Sequence, residues 1–226
     1  MTRGKFIVIE GSDGSGKSTH FQLLTEYLES RGENIAAYKF PQYQKPSSYF
    51  SIAYLNGEYG DANELGAYKP SLFYALDRFD ASFAIRADLD AGKTVICDRY
   101  VGSNMAHQGQ KIADRDDRAA YFNWLYDLEF NILGIPKPDL NLVLLMPAMT
   151  AQKLMSDREV RDYTDKKHDV HEADLAHLTR AVETYEELCS RFSDTFTPIR
   201  CTEHDELRPI DEIQSEIRKI VAEHQS

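Results

Sequence analysis

The run Lys5-Phe6-Ile7-Val8-Ile9-Glu10 is short, apolar except at its ends and rich in β-branched residues, and Gly11 closes it. A continuous run of this kind predicts a strand buried on both faces, as in a parallel sheet. From Lys17 to Arg31 the period changes. Phe21, Leu24 and Leu28 recur at helical spacing and Gly32 supplies a C-cap. Asn34 to Phe40 predicts a second strand, ended by Pro41, and the Tyr-, Gly- and Ser-rich stretch 41–69 predicts a short helix near Ser47–Leu55 and then loop. Ser71 to Ala91 reads as a long helix stopped by Gly92, and Thr94-Val95-Ile96-Cys97 as a third strand. Helices are expected over about 102–111 and 116–134, before a fourth strand over Leu140–Met146. A helix begins near Thr150, and a charged segment then interrupts the pattern over 158–168. Leu175, Leu178, Val182, Tyr185 and Leu188 mark an amphipathic helix, and Ile210, Ile213, Ile217 and Ile220 a closing one. Between them, Thr195–Cys201 is a weaker fifth strand, at an edge because Pro198 cannot donate to a ladder. Strands alternating with helices predict an α/β fold of about five parallel strands covered on both faces. With no repeat or linker visible, 1–226 reads as one domain.

Composition narrows the function more than the fold. The chain has 226 residues, 42% of them hydrophobic and 28% charged, enough to bury one sizeable core. Its 37 acidic residues against 26 basic ones leave a formal charge of −11, and no run of Lys or Arg offsets it. Such a surface repels phosphate backbones, which argues against a general nucleic-acid binder. The three cysteines, Cys97, Cys189 and Cys201, are too few and scattered for a disulfide framework or a zinc knuckle. The expected setting is cytoplasmic, since the chain enters a strand at once and no run approaches a membrane span.

Candidate chemistry begins where the first strand ends. Gly11-Ser12-Asp13-Gly14-Ser15-Gly16-Lys17-Ser18 fits G-x-x-x-x-G-K-[ST], with a buried strand before it and an amphipathic helix after it. Glycines let backbone N–H groups converge on a phosphate at the positive end of that helix. Lys17 would reach the outer phosphates of ATP and the Ser18 hydroxyl would ligate Mg²⁺, so the expected fold is the three-layer P-loop NTPase type. The guanine-reading N-K-x-D is absent. After the third strand, Asp98-Arg99-Tyr100 falls at the carboxyl edge of the sheet, where ligands collect. A carboxylate there can hold Mg²⁺ or its water, and Arg99 can grip an anionic substrate bidentately; a plain strand-capping ion pair is the other reading.

Further segments carry a resemblance. Phe40-Pro41 after the second strand, Leu72-Phe73-Tyr74-Ala75-Leu76-Asp77-Arg78, Asp98-Arg99-Tyr100, Lys137-Pro138-Asp139-Leu140 and Asp169-Val170-His171-Glu172 follow the phosphate loop in order. Together they resemble the thymidylate kinase family of P-loop nucleoside monophosphate kinases. The resemblance implies that Gly11 to Thr19 bind ATP, with Ser12, Gly14, Ser15 and Gly16 lining the cradle. It implies that Asp13, typical of the family's loop, belongs with the catalytic and metal-holding groups. Tyr74 would stack on thymine and Arg78 would hydrogen-bond a base carbonyl; the two are four apart and share a helix face. Without the family match, a core tyrosine and a surface ion pair read equally well. Phe40 would line the same pocket, Tyr43 would lie near the acceptor phosphate, Asn104 would contact the base, and His107 would lie near the sugar's 2′ side. A lid over about 156–170 would bring Arg158 or Arg161 to the transferred phosphoryl group, as in members with glycine where this chain has Gly14. Glu172 would join Ser18, Asp98 and Asp13 at the Mg²⁺ or nucleotide site, although Asp169 and Glu172 also resemble a capping box.

Two departures stand out. Many members carry an arginine near the position after Phe-Pro, where this chain has Gln42, which leaves Lys39 or Lys45 as substitutes for gripping phosphate. The insert over 56–69 is longer than in the shortest members. The reaction implied is Mg²⁺-dependent transfer of the γ-phosphoryl group of ATP to dTMP, giving dTDP for dTTP synthesis. In that reading Lys17, Arg99, Arg158, Arg161 and Asp13 are catalytic, the chain is a homodimer, and nucleotides are its ligands. The alternatives are another P-loop nucleotide or deoxynucleoside kinase, or a non-catalytic nucleotide-binding regulator.

Overall fold

In the computed structural model, which describes residues 3–62, 64–156, 175–204 and 206–225, the first apolar run is strand β1 (Phe6–Gly11), buried at all six positions. Its side chains alternate between two cores, as a strand with both faces covered requires. Phe6 and Val8 join Tyr100, Met105, Tyr121 and Phe122 on one face, while Ile7 and Ile9 join Phe21, Leu24, Leu28 and Ile217 on the other. Helix α1 (Lys17–Ser30), strand β2 (Ile35–Lys39), helix α2 (Tyr49–Leu55) and helix α3 (Tyr68–Asp90) follow. Next come β3 (Thr94–Asp98), α4 (Val101–Gly109), α5 (Arg115–Tyr126), β4 (Leu140–Leu145) and α6 (Ala148–Ser156). The described chain ends with α7 (Leu175–Arg191), β5 (Phe196–Arg200), the short strands β6 (Thr202–Glu203) and β7 (Glu206–Leu207), and α8 (Ile210–Gln225).

The five long strands form one parallel sheet in the order β2-β3-β1-β4-β5, as the alternating pattern implies. β5 lies at the edge and accommodates Pro198 there. Register decides what meets at the carboxyl edge. Ile9 and Lys39 both pair with Asp98, so the segments leaving β1, β2 and β3 share one rim. Among the described residues no helix is long and apolar enough to cross a membrane.

The structure corrects the expected elements in three places. The helix expected over about 116–134 is α5 followed by a π-helical turn over Asp127–Ile132. The wider turn swings Glu129 inward to complete burial, and insertions of this kind recur at functional sites. The helix expected over about 102–111 stops at Gly109, so Gln110 and Lys111 leave its axis. The β6–β7 hairpin, with two residues per strand, is too short for any period to reveal.

Candidate active site

The phosphate loop owes its shape to backbone conformations that side chains resist. Gly14 has φ +75°, and a Cβ there would lie 2.5 Å from the Ala151 carbonyl oxygen on α6. Gly16 caps α1 in the left-handed conformation with no side-chain cap, which leaves the first-turn amides free to face an anion. The hydroxyls of Ser12 and Ser15 are buried without a hydrogen-bond partner. Lys17 Nζ donates to the Ser12 carbonyl at 2.6 Å and lies 3.9 Å from Asp13 Oδ1. Thr19 follows in the first turn of α1.

From β3, Asp98 accepts a hydrogen bond from the Ser18 hydroxyl at 3.0 Å. Arg99 sits in the left-handed region at φ +69°, unusual for a residue with a side chain and a form of strain that clusters at functional sites. Its amide donates to the Ile9 carbonyl at 3.0 Å. Its guanidinium pairs with Asp13, donates to the Gly11 carbonyl at 3.3 Å and to Ser103 Oγ at 3.0 Å, and meets His107 Nε2 at 3.1 Å. Burial, and then the Arg99 charge beside it, push the His107 pKa well below the usual histidine value, so the ring is neutral near pH 7. Beneath these groups lies Glu10, fully buried and unmarked by any motif. It accepts from the Tyr100 amide (2.9 Å), Ser103 Oγ (2.6 Å) and the Tyr185 hydroxyl (3.1 Å). A carboxylate closing an otherwise apolar strand was the available signal for it.

The loop opens into a cavity of about 380 Å³. Phe40, Tyr43, Tyr74, Arg78, Arg99, Asn104 and His107 all line it, together with Asp13, Lys17, Ser18 and Asp98. Phe40 precedes a cis peptide to Pro41. Arg78 is not a surface residue: it is 2% exposed and held bidentately by Glu129, with Nε and Nη2 each donating at 2.6 Å. Asn104 Nδ2 donates to the Ser71 carbonyl at 3.0 Å, while its Oδ1 is buried without a partner. One turn on, the buried Gln108 also lines the cavity with an unpartnered Oε1. Its spacing of four from Asn104 was a usable signal.

The Gln42 departure has a structural explanation. Its amide donates to Asp77 Oδ2 at 2.7 Å and its side chain donates to the Asp77 carbonyl at 3.1 Å, so it braces α3. Of the two candidate substitutes, Lys39 lines the cavity and Lys45 does not. Lys39 Nζ lies 5.1 Å from the centre of the Phe21 ring. Arg158, Arg161, Asp169, Glu172 and the expected lid beyond Ser156 lie outside the described residues.

A family model described as thymidylate kinase matches residues 9–217. The chain belongs to the thymidylate kinase family. It is 32% identical over 186 residues to the thymidylate kinase of Mycobacterium tuberculosis, covering 82% of this chain and 86% of that protein. It is also 32% identical over 165 residues to a probable thymidylate kinase of Pyrococcus horikoshii, covering 73% and 76% respectively. The solved structure of thymidylate kinase from Candida albicans shares the fold, with a TM-score of 0.71 at 22% identity over 99% of this chain and 93% of that one. Membership supports thymidylate kinase activity, the phosphotransferase reaction of a nucleoside monophosphate kinase, over the regulator and deoxynucleoside kinase alternatives. For family members using Mg²⁺, a site of few protein oxygens suffices, because that ion keeps waters and substrate phosphates as ligands. Ser18 Oγ and Asp98 Oδ2 fit that requirement. Among the described residues no group of three or more His, Cys, Asp or Glu could hold a metal.

Proposed function

We propose that this chain transfers the γ-phosphoryl group of Mg·ATP to the phosphate of dTMP, releasing ADP and dTDP, and that the 380 Å³ cavity is where it does so. The observation that carries the reading is the continuity of that cavity. A phosphate loop and a pocket lined by aromatic rings and arginines open into one space. Tyr74 and Phe40 flank the base. Arg78, fixed by Glu129, donates to a base carbonyl, and the unpartnered oxygens of Asn104 and Gln108 accept from a base N–H. His107 faces the sugar, and Tyr43 faces the acceptor phosphate.

An oxygen of the acceptor phosphate attacks the γ-phosphorus as the bond to the β-phosphate oxygen breaks. The acceptor is already ionised, so the site needs no strong base; the difficulty is bringing two polyanions together. Loop amides and Lys17 hold the donor; Ser18 and Asp98 would hold Mg²⁺, which would supply neutralising positive charge. Arg99 bridges towards the acceptor, with Asp13 fixing its guanidinium. Arg158 or Arg161 from a lid over about 156–170 completes the cationic clamp, and Glu172 joins the metal or nucleotide site.

Lys39 takes the place of the arginine missing at Gln42. Lys17 and Arg99 share Asp13, and Arg78 is neutralised by Glu129. Lys39, alone among the described cations lining the cavity, has no carboxylate within ion-pair distance, so it leaves the phosphate end with a positive surplus. We read residues 1–226 as one cytoplasmic kinase domain. Leu72, Leu76 and Phe83 form an exposed apolar stripe on α3, and Ile132 is 70% exposed, which supports a homodimer.

The test is a coupled ADP-release assay with Mg·ATP and dTMP, dUMP, dCMP, dGMP, UMP, AMP and thymidine. Preference for dTMP is expected. Turnover of thymidine itself would favour a deoxynucleoside kinase, and tight ATP binding with no transfer would favour a regulator.

A further inference from the structure

Lys111 lies two residues beyond α4, the helix that presents Asn104, His107 and Gln108 to the cavity, and no motif includes it. Its ammonium reaches α2 and the segment that follows it. Nζ donates to the Tyr54 hydroxyl at 2.9 Å, the Ala62 carbonyl at 2.7 Å and the Gly66 carbonyl at 3.2 Å, so three N–H bonds meet three acceptors. The same nitrogen is 5.3 Å from the centre of the Tyr54 ring. Two of the acceptors are backbone groups of the 56–69 insert, which leads from α2 into α3. The third belongs to a tyrosine only 3% exposed.

Tyr54 connects this contact to the pocket. Its ring stands edge-on to Tyr74, with centroids 6.3 Å apart at 89°, and its neighbour Leu55 lines the cavity. Edge-to-face packing fixes the orientation of both rings. A surface lysine has no reason to bury its charge. Here burial draws the Lys111 pKa down to about 8, against the opposing pull of Asp61. A desolvated cation directed at loop carbonyls serves geometry, since its three bonds join the insert and α2 to the end of α4.

We propose that Lys111 is a positioning residue for the nucleobase pocket: its ammonium ties the insert, at Ala62 and Gly66, and Tyr54 to the end of α4 and so sets the Tyr74 ring against the base. The inference rests on the reading of Tyr74 as the base platform. It gives the long insert a role, as a strap whose attachment tunes base recognition. The groups facing the ammonium are the Tyr54 hydroxyl from α2 and the Asp61 carboxylate from the insert. When Lys111 loses its proton, two N–H bonds remain for three acceptors, and the strap loosens.

The test compares wild type, K111R and K111M for steady-state kinetics against pH and for amide hydrogen exchange over residues 54–66. K111M should raise the KM for dTMP about tenfold, the equivalent of one charge-assisted hydrogen bond, with the KM for ATP and kcat little changed. In wild type that KM should rise as pH passes about 8, while K111R, which stays charged, should keep a low KM and a flat profile. Exchange over 54–66 should quicken in K111M only. Unchanged exchange and an unchanged KM in K111M would overturn the proposal, as would an equal loss in kcat and both KM values. Wild-type protein that ignores dTMP would instead refute the pocket reading, and the exchange data would still report on the strap.

Discussion

The two ends of the cleft are built in opposite ways. In the proposed reading most working groups of the phosphate end come from two short segments, Gly11–Thr19 and Asp98–Arg99, at the carboxyl ends of β1 and β3. At the proposed base end Tyr74, Arg78, Asn104 and Gln108 are side chains on helices and Phe40 follows β2, and Arg78 depends on a carboxylate 51 residues away. The first end is shaped by the loop's backbone conformation and pinned by Ser18–Asp98 and Arg99–Asp13, whereas the second depends on tertiary packing throughout. Function and stability should therefore separate at the phosphate end and fall together at the base end.

Glu129→Ala tests the second half of that contrast and carries the largest expected effect. Arg78 and Glu129 are 2% and 0% exposed, so removing one partner strands a buried charge. The expected loss is about 3–5 kcal/mol in urea unfolding, with dTMP turnover falling in parallel. Replacing both residues, as in the pair R78M and E129L, should restore most of the stability but none of the dTMP affinity. Recovery of both would show that Arg78 serves packing only.

Lys17→Ala tests the first half. Its ammonium meets the Ser12 carbonyl and Asp13, both within the loop itself, so the melting temperature should stay near wild type. Turnover should drop about 10²–10³-fold, as for other single groups aimed at transition-state charge. Normal turnover by purified protein would remove the phosphate loop from the chemistry.

The same contrast explains what was legible in the sequence. The loop, Asp98-Arg99 and the five-strand pattern depend on neighbouring residues, so a linear pattern exposes them. The seven substrate-pocket residues were reachable through the family resemblance, and all line one cavity. Glu129 was not, because it faces inward only through the π-helical turn, and in a regular helix it would read as one more solvated charge. The bond between Asp77 and Gln42 was hidden for a similar reason. An acid inside a helix and a glutamine after Phe-Pro carry no sign that each is the other's partner. Glu10 and Gln108 fall between these cases: a carboxylate in a buried strand and an amide one turn beyond Asn104 are anomalies that a stricter reading of periodicity would flag.

Lys39 sharpens the comparison on a smaller scale, because it belongs to the phosphate end yet lies outside its motifs. Lys39→Met should raise the KM for dTMP about tenfold, as expected for one lost charge-assisted hydrogen bond to phosphate. Lys39→Arg should recover most of that loss, and Lys45→Met should change little, since Lys45 does not line the cavity. Equal effects at the two lysines would assign the change to net charge in an acidic protein rather than to contact.

The smallest effect concerns a residue that links the phosphate end to the core behind it. His20, on the second turn of α1, donates its amide to the Gly16 carbonyl at 3.0 Å. Its side chain is buried against α8, where Gln214 Nε2 lies 2.9 Å from Nδ1 and donates to the His20 carbonyl at 3.0 Å. Burial lowers its pKa to about 4. Between about pH 6.5 and 4 the unfolded chain therefore binds a proton that the native state refuses, and stability falls as pH falls through that window. From pH 6.5 to 5.5 this amounts to about 1 kcal/mol, measurable as the difference in urea-unfolding free energy between wild type and His20→Gln. His107, also depressed, acts in the same direction in both proteins, so the difference isolates His20. Parallel pH profiles would show that His20 binds its proton as readily in the native protein as in the unfolded chain. That outcome would make the support of the phosphate loop adjustable where the contrast between the two ends requires it to be fixed.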